Sequence, residues 1–206
     1  LEPCGCSAEI LLGGIERITG YVAAARELYP DTVMLDAGDM LFEFAKNSEN
    51  EVAQVKAKAE VIVAAQKALD TQLTVPGELD FALGGAYYLE KINEAGVEPI
   101  AANLEVSGVE LKPGRIKAVG DSRLGVVGAV DPALYEGLAG VTAAPAIPAV
   151  KEAVAALKKQ GATTLILLMH GDLAATRAVL NAVEGLDFAV VGHAPRETDE
   201  VNEING

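Results

Sequence analysis

Tryptophan is absent from this 206-residue chain, and histidine and cysteine occur twice each. Cations are scarce as well: 16 Lys and Arg face 30 Asp and Glu, for a formal net charge of −14, and no basic run gathers the positive charge that exists. A surface of that sign repels a polyanion at every approach, which excludes nucleic-acid polymers and anionic membranes as partners. Long apolar runs are missing too, so no segment is expected to insert into a membrane. No signal peptide is visible at the start, where Leu1 reads as an internal residue of a processed or trimmed chain. What is plentiful is small aliphatic side chain: half the residues are apolar and only 22% are charged. Those figures exclude intrinsic disorder and suit one domain with helices laid on a sheet.

The two histidines each close a short apolar run. Thr-Thr-Leu-Ile-Leu-Leu-Met-His, ending at His170, and Asp-Phe-Ala-Val-Val-Gly-His, ending at His193, have the length and composition of buried parallel strands. The segment from Leu173 to Asp187 is expected to cross between them as a helix. Both imidazoles then stand at the sheet edge where α/β folds bind ligands. One such histidine alone reads as a satisfied core residue. The whole histidine content at equivalent strand ends points instead to metal binding, because neutral imidazole is the commonest metal ligand and needs a fixed backbone to aim it.

The cysteines, Cys4 and Cys6, lie in Pro-Cys-Gly-Cys-Ser. A disulfide across one intervening residue closes a small, strained and easily reduced ring. The pair reads as free loop thiols, as two ligands for one metal ion, or as a redox couple.

Elsewhere helix and strand alternate. Helical spacing covers Ile15 to Tyr29, stopped by Pro30, and a strand from Thr32 to Asp36 breaks at Ala37-Gly38-Asp39, placing Asp39 at a third strand end. A long helix from Glu51 to Leu69 precedes a strand, Gln72 to Val75, that breaks at Pro76-Gly77. The following loop carries Glu78 and Asp80, read as metal ligands or as caps of the helix from Ala86 to Ala95. Pro99 to Leu104 reads as one strand, Arg115 to Val119 and Leu124 to Val130 as a hairpin, Val141 to Ile147 as an irregular linker, and Val150 to Lys159 as a helix. The alternation predicts an α/β fold with the strand-end loops on one edge.

Taken in order, Gly-Gly-Ile-Glu-Arg-Ile, Leu-Asp-Ala-Gly-Asp, Gly-Glu-Leu-Asp-Phe-Ala-Leu-Gly, Ala-Ala-Asn-Leu, Leu-Leu-Met-His-Gly-Asp and Val-Val-Gly-His resemble the calcineurin-like metallophosphoesterases, most closely the catalytic domain of the periplasmic 5′-nucleotidase and thiosulfohydrolase branch. The resemblance implies a four-layer α-β-β-α sandwich, and 1–206 is expected to be a single such domain, departing from the 5′-nucleotidase branch in having no C-terminal nucleotide-binding domain. It implies hydrolysis of a phosphate ester or small oxyanion ester, a periplasmic or extracytoplasmic setting, and membership of a longer exported polypeptide. By resemblance Asp39 is the bridging carboxylate, and His170 and His193 are ligands.

Three departures alter that site. Cys4-Gly5-Cys6 stands where the family has an aspartate and a histidine, Pro76-Gly77-Glu78 replaces Gly-Asn-His-Glu, and Gly192-His193-Ala194-Pro195 lacks a second histidine. The family's pair of ions therefore becomes one expected ion, zinc, manganese or iron, drawing on Asp39, His170, His193 and the two cysteines. Glu78 takes the place of the lost proton donor or of the lost amide ligand. Arg17 and Arg123 are the basic residues expected to contact a small anionic substrate, with solvated surface charge as the competing reading of both. A non-hydrolytic metal or redox protein using the cysteines, or an inactive scaffold, are the alternatives.

Overall fold

A computed structural model describes residues 14–45 and 48–193; Cys4 and Cys6 lie outside them. The elements are α1 (Ile15–Leu28), β1 (Met34–Asp36), α2 (Val52–Ala68), β2 (Thr71–Thr74), α3 (Gly85–Ala95), β3 (Glu98–Pro99), β4 (Leu104–Val106), β5 (Gly114–Val119), β6 (Ser122–Val130), β7 (Val141–Ala143), α4 (Ala146–Lys159), β8 (Thr164–His170), α5 (Leu173–Ala182) and β9 (Phe188–Val191). Strands β1, β2 and β3 form a parallel sheet. A second sheet has the order β5-β6-β8-β9, antiparallel at the β5–β6 hairpin and parallel from β6 onward. Strands β4 and β7 pair separately and antiparallel.

Side-chain alternation along β6 and β8 sets the layers. Val126, Val130 and Leu168 turn to a core shared with Leu73, Val75 and helices α2 and α3. Val127, Ala129, Leu165, Leu167 and Met169 turn the other way, onto α4 and α5. A strand with both faces covered carries no polar alternation, which is why the run ending at His170 reads as uniformly apolar. Helices, two sheets and helices thus stack as the four layers expected of the metallophosphoesterase-like sandwich. Among the described residues no helix is long and apolar enough to cross a membrane.

Two segments differ from the sequence reading. Pro99 to Leu104 is not one strand: Glu98–Pro99 completes the three-stranded sheet, and the chain then changes partners almost residue by residue, with Ile100 N–H donating to Thr74, Ala101 N–H to Lys112 and Ala102 N–H to Gly128. Buried Asn103 anchors this crossing, since its amide donates to the carbonyls of Val130 and Ala144 while its oxygen accepts from Val130 N–H. Val141 to Ile147 is not a linker either. Val141–Ala143 pairs with β4, and α4 starts at Ala146 because prolines at a helix start lack only N–H groups that have no helical partner there.

Candidate metal centre

The carboxyl ends of β1, β2, β8 and β9 meet on one edge of the molecule. Asp39, Glu78, His170 and His193 each offer one ligand atom there, and these atoms all lie within 4.8 Å of one another. His170 Nε2 is 2.7 Å from Glu78 Oε2 and 3.5 Å from Asp39 Oδ2. His193 Nδ1 is 3.4 Å from Glu78 Oε1 and 3.7 Å from Asp39 Oδ2. The site is graded in depth: the His170 side chain is wholly buried, Glu78 and Asp39 are 14% and 20% exposed, and His193 is 38% exposed at the mouth.

Local sequence makes this approach feasible. Gly38 has φ +101°, and a Cβ there would collide with His170 Nδ1. A Cβ on Gly77 would overlap the backbone nitrogen and carboxylate of Asp39. Glycine is therefore needed at both places for the strand ends to close on each other. Two of the four donors, Asp39 at φ +56° and His193 at φ +41°, hold the left-handed backbone that residues with a Cβ rarely adopt. Such strain is concentrated where surrounding structure over-determines a functional geometry, although Asp70, in the turn after α2, shares it at φ +51°.

Hydrogen bonds aim each donor. The carbonyl of Ala37 can only accept, so the 2.7 Å contact places a proton on His170 Nδ1 and turns Nε2 toward the carboxylates. That is the arrangement by which a backbone carbonyl fixes the tautomer of a ligating histidine. Asp39 Oδ1 accepts from Leu79 N–H at 2.9 Å, leaving Oδ2 to face both imidazoles. Tyr135 walls the site, donating its hydroxyl to the Pro76 carbonyl at 2.5 Å and presenting its ring edge-on to His170.

The electrostatics follow. Burial raises the Asp39 carboxyl; Glu78 pushes the same way and the two imidazoles pull against it. Burial would also raise Glu78, but the hydrogen bond from His170 and the charge of both imidazoles bring it below the ordinary carboxylate value. Desolvation opposes a charged His170, yet the Glu78 hydrogen bond, the Asp39 charge and the Ala37 carbonyl together raise its pKa. Glu78 is therefore favoured in its carboxylate form beside the two imidazoles.

The donor set fits a borderline divalent cation, having two imidazole nitrogens and two carboxylates. A tetrahedral zinc with bonds near 2.1 Å separates its ligand atoms by about 3.4 Å. The two imidazole separations from Asp39 Oδ2, 3.5 and 3.7 Å, lie close to that spacing, and the His193 separation from Glu78 Oε1 is 3.4 Å, while His170 meets the other Glu78 oxygen. Only the His170–Glu78 contact is shorter, as befits a direct hydrogen bond.

Of the other residues singled out from sequence, Arg123 is not brought to this edge. It lies on β6 seven positions before Val130, the register partner of His170, which is roughly 20 Å along a strand. Its guanidinium donates to the carbonyls of Gly161 and Gln160, so it ties a turn at the opposite end of the sheet. Arg17 is half-buried in the first turn of α1 and is not part of the four-residue group. Asp80 neither joins that group nor caps α3; it accepts from Asp39, Leu41 and Gly77 N–H. Sequence reasoning missed Asp36, whose carboxylate accepts from Gly38 N–H and the Thr74 hydroxyl, and Tyr135, for which sequence offers no signal.

No family model and no curated protein matches the sequence. Solved structures do. A sulfate thiohydrolase from Thermus thermophilus aligns at 22% identity and TM-score 0.75 over 89% of this chain and 34% of its own. A calcineurin-like phosphoesterase from Bacillus subtilis aligns at 21% and 0.72 over 87% and 63%, and a 5′-nucleotidase precursor from Thermus thermophilus at 20% and 0.76 over 89% and 36%. The chain thus spans between about a third and just under two thirds of these proteins' lengths. The likeness shows that it has the calcineurin-like phosphoesterase fold.

Proposed function

We propose that this chain is the metal-binding hydrolytic unit of a protein acting on a phosphate ester or a related small oxyanion ester. The observation that carries the reading is the convergence of Asp39, Glu78, His170 and His193 on one point at the strand ends of a phosphoesterase fold. A divalent ion, when bound, lowers the pKa of a water and polarises the ester oxygen. The chain's own residues do the rest. His170 offers Nε2 from a ring whose other nitrogen is anchored on Ala37. Asp39 presents one oxygen to the shared point and spends the other on Leu79 N–H. Glu78 closes the inner side as a carboxylate, and His193, the most exposed of the four, stands where a substrate would enter.

Glu78 in place of the family's amide keeps an oxygen ligand and strengthens the hold on a cation, while the loss of the other family ligands favours a single ion. Cys4 and Cys6 are read as supplementary thiolate ligands at this centre, and an extracytoplasmic setting within a longer exported polypeptide goes with the same reading. Metal analysis with a thiol titration on native protein, followed by assays with zinc or manganese, tests it. We expect about one metal per chain, hydrolysis of a phosphomonoester, diester or thiosulfate conjugate, and weaker metal loading when both cysteines become serine. Metal-free protein that takes up none and turns over none of these substrates overturns the reading.

A further inference from the structure

We propose that Asp80 is a positioning residue that straps the loop bearing Asp39 to the loop bearing Glu78 and so sets their separation, without touching the ion. This rests on the metal reading above. Asp80 has no exposed surface. One of its oxygens accepts from Asp39 N–H at 3.1 Å and from Gly77 N–H at 2.9 Å, and the other accepts from Leu41 N–H at 2.8 Å. Those three amides belong to two different loops, one following β1 and one following β2. The β1–β2 ladder stops at Asp36 and Thr74, so beyond it these bonds, with the return bond from Leu79 N–H to Asp39, hold the loops together.

The chemistry demands a carboxylate. Burial pushes the Asp80 carboxyl up to about 7 while the Leu41 and Gly77 N–H bonds pull it down; three N–H groups converge on both ends of the side chain, which an ionised carboxylate satisfies because it is acceptor-only at both oxygens. An amide of the same shape can serve the Asp39 and Gly77 side with its oxygen, but then turns its own NH₂ donor toward the Leu41 N–H, or the reverse. Asp80 has no exposed surface, so the unpaired group this leaves is costly enough that one loop moves. Because Asp39 sits in a left-handed conformation and Gly77 touches it without room for a Cβ, a shift of either loop displaces a ligand directly.

The test is cobalt(II) titration of intact, chelator-treated protein, read by visible absorption. We expect Asp80→Asn to bind cobalt about 10-fold to 100-fold more weakly, the usual cost of losing a residue that orients a ligand, with a changed ligand-field spectrum. Val150→Ala, a buried change between α4 and the four-stranded sheet, should lower the melting temperature while leaving cobalt affinity and spectrum as in the wild type. An Asp80→Asn protein that binds within about twofold of wild type, with the same spectrum, overturns this inference alone. Wild-type protein that takes up no cobalt overturns the metal reading and this inference with it. Should Asp80→Asn not fold, amide hydrogen exchange on the wild type decides: Asp39, Leu41 and Gly77 should be protected as a set in metal-free protein, and fast exchange at any of the three refutes the strap.

Discussion

Replacing Glu78 by glutamine removes one charge from the centre while keeping its shape. Glu78 Oε2 lies 2.7 Å from His170 Nε2, and the pair is shielded: the His170 side chain is buried and that of Glu78 is 14% exposed. A charge-assisted hydrogen bond of this kind contributes about 1.5–3 kcal/mol. Its loss should reduce the proton affinity of His170 by about tenfold to a hundredfold. Asp39, 3.5 Å away, remains and offsets part of that loss, while desolvation, until now outweighed, works against the charged ring. The linkage sign is fixed. His170 titrates above its ordinary value in the folded chain, so its stabilisation is fully present below about pH 6.5 and is lost as pH rises through the folded value. Glu78→Gln should therefore melt several degrees below wild type at about pH 5 to 6 and converge with it in alkali. NMR titration of the apo protein reads the effect directly, because the chain holds two histidines and His193→Gln assigns the signals. An unchanged His170 midpoint in Glu78→Gln would refute the geometry on which the site is built.

Two further outcomes follow. Metal must displace the proton from His170 Nε2, and that proton is held more tightly than on a free imidazole, so divalent-metal affinity should fall by up to about tenfold for each pH unit of acidification, with the fall beginning above pH 6.5; calorimetry from pH 8.5 down to 5.5 checks this, and a flat profile contradicts it. Asn103→Ala removes three hydrogen bonds, the two to Val130 buried and the one to Ala144 partly so, which should cost about 3 kcal/mol and lower the melting temperature by roughly 6–12 °C, whereas a shift under about 2 °C would show that the crossing between sheets does not depend on this amide.

Much of this architecture was legible in the residue order, because helical spacing, uniformly apolar strands and Gly or Pro breaks are local signals. Helices α1, α2 and α3, the β5–β6 hairpin and the strands ending at Asp36 and His170 lie within a few residues of where periodicity puts them. Asp39, His170 and His193 also fall at or just beyond strand ends as read, but of those strands only β8 is buried: β1 is half-buried, and β9, read as buried, alternates exposed and half-buried residues because it is the edge of its sheet. The β4–β7 pair was not legible: Leu104–Val106 and Val141–Ala143 are three residues each, too short to show a period, and they exist only because the two segments meet.

Sequence by itself determined which strand ends carry donors, for the polar residue closing an apolar run is a property of the chain alone. It left Glu78 and Asp80 chemically equivalent, two carboxylates two positions apart in one loop, and it left Arg123 as eligible as any other cation. Tertiary structure decided these. It turned Glu78 outward to the imidazoles and Asp80 inward to three backbone amides, and it set Arg123 at the far end of β6. The physical reason is that a side chain's role depends on which unpaired N–H groups and which charges surround it once the loops are packed, and apart from Gly77 those neighbours come from about forty to about ninety residues away in the chain.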